Sequence, residues 1–130
     1  MPSNLLITVA GLTVAAALSA ASTQAAPPAT AKRTCFWVQN VNGWSSADDH
    51  TVMLRTGVKD VYRLDLMGPC PDIEWSQHIG LVSQGSSSIC TPLDATVIAQ
   101  GPLGPQRCPV KAVTKLTPEE IAALPRKHRP

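Results

Sequence analysis

Between residues 51 and 66 the chain alternates apolar and polar positions in short runs. Tyr62, Leu64 and Leu66 alternate with Arg63 and Asp65, the period-2 pattern of a strand with one buried and one wet face. Residues 51–55 form a second short strand-like run. Residues 56–59 lie between them, with Gly57 free to take positive φ, so the pair is predicted to be a hairpin. Residues 36–41 read as a further strand ended by Asn42-Gly43, which leaves Trp44 in a loop. Residues 79–83, ahead of the Gly/Ser loop 84–88, are another, as are residues 96–100 and 107–116 around a turn near 101–105. In the last run Cys108, Val110, Ala112 and Leu116 fall on one face. Arg107, Lys111 and Lys115 fall on the other, with Thr114 as a polar intruder.

Two segments depart from this pattern. Residues 71–78 predict a short helix or turn. Thr117-Pro118-Glu119-Glu120 is a capping box: Thr117 caps free N–H groups, Pro118 suits the first helical position and Glu120 reaches back. The helix ends before Pro125 and is too short to stand alone, so Ile121 and Leu124 are expected to dock on the body. The elements together predict a mainly β fold. It is a small antiparallel barrel, OB-like, or a sandwich, with a short C-terminal helix and two disulfides.

The N-terminus has a different character. Residues 5–21 carry no charge and are rich in Ala, Leu and Val, and small residues follow up to Pro27-Pro28. That is the layout of a secretory signal peptide over residues 1–25, with Thr23 and Ala25 at the −3 and −1 positions. The alternative is an uncleaved anchor. Seventeen weakly apolar residues are at the short edge of what crosses a hydrocarbon core of roughly 30 Å. Residues 26–34 read as a flexible leader, residues 35–124 as one stapled domain and residues 125–130 as a basic tail. After cleavage no stable membrane span is expected, and the protein is expected in the periplasm or outside the cell.

Export changes the meaning of the four cysteines. Cys35, Cys70, Cys90 and Cys108 all follow the signal, and an even count in a short exported chain predicts two disulfides. None is spaced Cys-x-x-Cys, so redox and haem-attachment motifs are absent. Of the three connectivities, Cys35–Cys108 with Cys70–Cys90 is preferred. The first bridge ties the first strand to the last, and the second closes a local loop.

Charge adds little. The 130 residues carry net +2, too little for the basic surface of a nucleic-acid binder, and none is expected as a partner. Arg126, Lys127 and Arg129 supply three positive charges in the tail, so the remainder is net −1. The tail is expected to be solvated.

Candidate chemistry is thin. Asp48, Asp49 and His50 offer two carboxylates and an imidazole, enough for a divalent metal or an acid–base pair. Consecutive extended residues point to opposite faces, so the plainer expectation is a turn before the strand at Thr51. Glu74 and His78 are one helical turn apart if that segment is helical, and a surface ion pair is the plain reading. There is no nucleophile motif and no phosphate-binding glycine loop, and no metal or cofactor is expected. The aromatics Phe36, Trp37, Trp44, Tyr62 and Trp75 lie within 40 residues. Such rings can stack bases or sugars, but most are expected in the core, with Trp44 the best candidate for exposure.

The residues resemble a family. Cys35-Phe36, Trp44, Asp48-Asp49 and the run Tyr62 to Leu66 come first. Gly68-x-Cys70-Pro71, Ile79-Gly80-Leu81, Ile89-Cys90 with Asp94, Arg107-Cys108-x-Val110 and Leu116 to Glu120 complete the pattern. It is similar to a bacterial domain-of-unknown-function family of small exported four-cysteine proteins, over roughly residues 35–120. Pro92-Leu93 stands where that pattern has Gly-Asp. The resemblance implies a disulfide-stapled envelope protein and carries no site. The leading expectation is a non-catalytic module binding an envelope protein or small ligand, with Trp44, Asp48, Asp49 and His50 as candidate contacts. The alternative is a small periplasmic hydrolase or metal-dependent enzyme using Asp48, Asp49, His50 and His78.

Overall fold

A computed structural model describes residues 34–130. The expected signal peptide and all but the last residue of the expected leader lie outside the described residues. Six strands form one antiparallel sheet in the order β2-β3-β4-β8-β7-β5. They are β2 (Val41–Asp48), β3 (Thr51–Thr56), β4 (Asp60–Leu66), β5 (Ile79–Ser83), β7 (Ala95–Gly101) and β8 (Gly104–Lys115). The sheet curls into a half-barrel whose outer strands, β2 and β5, do not pair with each other. A two-stranded ladder joins β1 (Phe36–Trp37) to β6 (Ser88–Ile89). The expected hairpins form: β3 and β4 turn at Gly57 with φ 60°, and β7 and β8 close between Gly101 and Gly104.

The inner face carries the core. Val52 and Leu54 of β3, Tyr62, Leu64 and Leu66 of β4, and Val97 and Ala99 of β7 are buried there. Phe36, Ile73 and Ile89 cover them. Among the described residues ten apolar side chains are essentially free of solvent, and full burial of each large aliphatic contributes roughly 1.5–3 kcal/mol. A smaller cluster lies on the outer face, where Met53, Val61 and Leu116 meet Ile121 and Leu124. The helix α1 (Pro118–Ala123) thus docks with the residues its sequence predicts, under a complete Thr117/Glu120 capping box.

The face assignment of β8 is corrected. A β-bulge between Asp65 and Leu66 shifts the register, so Leu66 pairs with Val110 and Leu64 with Val113. One extra residue reverses the side-chain parity beyond the bulge. Val113, not Ala112, therefore joins the inner core, Lys115 shares the inner face with Tyr62, and Leu116 turns outward.

Two further corrections concern the first strand and the bridges. Residues 36–41 are not one strand: after Trp37 a 3-10 turn (Val38–Asn40) redirects the chain into β2. Asn42-Gly43 does not end the strand but is an irregularity in the β2–β3 register, and pairing continues from Gly43. The disulfides are Cys35–Cys90 and Cys70–Cys108. The β1–β6 ladder pairs Phe36 with Ile89, which sets Cys35 against Cys90 one step on. After β4 the chain keeps running beside β8, with Met67 N–H on the Pro109 carbonyl, and reaches Cys108 at Cys70. The expected pairing failed because Ser88 was read into the loop 84–88 and Ile89 into no strand, which hid the partner of the first strand.

Candidate functional site

Asp48 ends β2, and Asp49 and His50 form the tight turn into β3. A turn brings together what an extended strand would separate: one donor atom from each lies within 4.8 Å of the others. His50 Nδ1 is 2.5 Å from Asp49 Oδ1, and the His50 N–H donates to Asp48 Oδ1 at 2.8 Å. The Asp49 and His50 side chains are each 50% exposed, and the three grooves described below do not include them. His78 is not part of this group. It is exposed, beyond the 3-10 turn Ile73–Trp75 that holds Glu74, and among the described residues the two form no ion pair.

Trp44 is corrected from loop to strand. It lies in β2, half-buried against the core. Its surroundings are a groove of about 340 Å³ between β2, Glu74 and the tail residues Lys127 and His128. The tail is therefore not simply solvated. His128 Nδ1 donates to the Ser46 carbonyl at 2.9 Å, and Ser45 Oγ donates to the His128 carbonyl at 2.6 Å. Arg129 returns to the end of α1, donating to Ala122 and Leu124 carbonyls. These contacts satisfy carbonyls that a helix end leaves open. A second groove, with a more apolar lining, runs past Arg55, Val61 and Ile121.

The exposed tryptophans are Trp37 and Trp75, at 51% and 84%. Trp75 stands on its 3-10 turn. Trp37 lines a third groove of about 180 Å³ with Asn40, Thr56, Asp60 and Tyr62, beside the Cys35–Cys90 bridge. Tyr62 is anchored by ring contact with Phe36, centroids 4.6 Å apart. Asp60 pairs with Lys115 at 3.1 Å and pushes the lysine ammonium above its usual range. Sequence reasoning missed this site because residues 36–41 were read as one uniform strand. The signal available was Phe36-Trp37 itself: two large rings in succession on a strand cannot both face the core.

Pro92-Leu93 lies in a 3-10 turn closed by its own capping box, in which the Thr91 N–H donates to Asp94 at 3.1 Å. The Thr91 side chain and backbone hold the Asp94 carboxyl below the usual carboxylate range.

A family model described as "Family of unknown function (DUF6491)" matches residues 1–130. No curated protein and no solved structure matches the chain.

Proposed function

The chain belongs to that family of unknown function, so a role must be argued from its own residues, and we propose an exported bacterial envelope protein that binds a partner without catalysing a reaction. The observation that carries this reading is the groove at Trp37, where an exposed indole and several polar groups converge on a surface held by a disulfide. Rigid aromatic surface with a few polar groups is what recognition sites are made of. Export is supported by the apolar, charge-free residues 5–21 followed by small residues, and by two disulfides, which persist in oxidising compartments. Among the described residues no helix is long and apolar enough to cross a membrane.

The test is photo-crosslinking from position 37 on intact cells. A specific adduct, absent when the crosslinker sits at exposed Leu103, is expected. Equal labelling from both positions, or protein confined to the cytoplasm, overturns the reading.

The metal-dependent alternative has one observation in its favour, the close approach of Asp48, Asp49 and His50. It predicts saturable binding of zinc or manganese in calorimetry that vanishes in Asp49→Ala. The absence of heat with either metal removes it.

A further inference from the structure

We infer that the groove beside the Cys35–Cys90 bridge takes one ring of an uncharged sugar, a deepening that rests on the binding-module reading above. Its residues supply the two things a sugar ring needs. One is a flat apolar surface for its C–H face, and Trp37 offers an indole with half its surface open to solvent. The other is a set of hydroxyl partners.

Those partners are present and unspent. Tyr62 is 4% exposed and Thr56 7% exposed, yet among the described residues neither hydroxyl makes a hydrogen bond. Gln106 Oε1 is the single fully buried side-chain polar atom without a partner among the described residues. Neither the Tyr62 nor the Thr56 oxygen is among the fully buried atoms left without a partner, and both residues line the groove. The Asn40 side chain is likewise unpaired, since only its backbone carbonyl is engaged, by the Gly57 N–H. Asp60 gives one oxygen to Lys115 and keeps the other. A hydroxyl, an amide and a carboxylate oxygen together can donate to and accept from the alternating hydroxyls of a sugar.

Charge and size narrow the ligand. The Asp60–Lys115 pair leaves the groove nearly neutral, so a phosphate or uronate would gain no net attraction and would meet a carboxylate. An alkyl chain would leave the polar atoms unpaired, which disfavours it. The volume of about 180 Å³ matches about six waters, the room of a single ring rather than of a drug-sized ligand.

The experiment is affinity electrophoresis of the oxidised exported protein in gels holding a soluble glucan, mannan or galactan, with free monosaccharide or oligosaccharide as competitor. Retardation by at least one neutral polymer is expected, weakened at least tenfold in Trp37→Ala and in Tyr62→Phe and unchanged in Trp75→Ala. Both test variants should melt with the parent, because Trp37 is a surface residue and phenylalanine keeps the buried ring. Competition by the monosaccharide assigns a free ring as sufficient, and competition by the oligomer alone assigns a ring within a chain. No retardation in any neutral polymer, retention only by an anionic polymer or an oligonucleotide, or retardation untouched by both substitutions overturns the inference. If it fails while crosslinking from position 37 still yields a specific adduct, the sugar is wrong and the binding module stands. If both fail, both are wrong.

Discussion

The Ser45 hydroxyl donates a 2.6 Å hydrogen bond to the carbonyl of His128, 83 positions further along the chain. The partner bond, His128 Nδ1 to the Ser46 carbonyl, makes the contact reciprocal. The tail is thus pinned to the outer strand of the sheet at His128, while Arg129 reaches back to the end of α1.

This docking predicts a protease phenotype. Trypsin should cut after Arg126 and Lys127 slowly in the parent and several-fold faster in Ser45→Ala. The hydrogen bond removed is worth about 0.5–1.5 kcal/mol. Equal nicking rates in timed digests would contradict the docked tail.

The bridges predict a peptide map. Non-reducing digestion and mass spectrometry should recover Cys35 with Cys90 and Cys70 with Cys108. Replacing Cys70 and Cys108 together by serine should cost about 2–5 kcal/mol in denaturant unfolding. The bridge joins segments separated by 38 residues and is buried in the core. Recovery of Cys35 with Cys108 would restore the pairing expected from sequence.

Acid stability should depend on Asp94. Its folded carboxyl titrates below its unfolded value because Thr91 donates to it. The stabilisation is therefore present above the ordinary aspartate range and lost as pH falls through the lowered folded value. Asp94→Ala should lower the melting temperature slightly at neutral pH and flatten its decline below the aspartate range. A parallel decline in both proteins would show that the turn contributes nothing.

The bulge in β4–β8 gives a paired test. Val113→Asp should destabilise by about 2 kcal/mol, since it sets a polar group at a half-buried position beside Leu64. Ala112→Asp, on the outer face opposite Asp65, should cost about 1 kcal/mol or less. Reversed magnitudes in urea unfolding would return Ala112 to the core.

The strength of local pattern decided what the sequence could reveal. The β3–β4 hairpin, β5, β7 and the capped helix were legible because period-2 alternation, a turn glycine and a capping box are local signals. Val113 was not, because a bulge is invisible to a rule that counts by twos. Cys90 could not be paired because β1 and β6 are each two residues long, too short to carry a pattern. The Trp37 groove was hidden for the same reason, since it depends on where a 3-10 turn sends the chain. The Asp48–His50 cluster lay in plain view, but its convergence rests on turn geometry, and extended-chain reasoning denied it.

An antiparallel sheet that ends in open strands can in principle be extended by a copy of itself, and unlimited head-to-tail growth needs two competent edges. On β2 the register breaks near each end, between Val41 and Gly43 and between Ser46 and Asp48. The stretch between the breaks carries the tail. A copy arriving at β5 would thus find no matching second edge to pass the pairing on. The tail that carries the chain's surplus positive charge thus occupies one of the two edges that such growth would need.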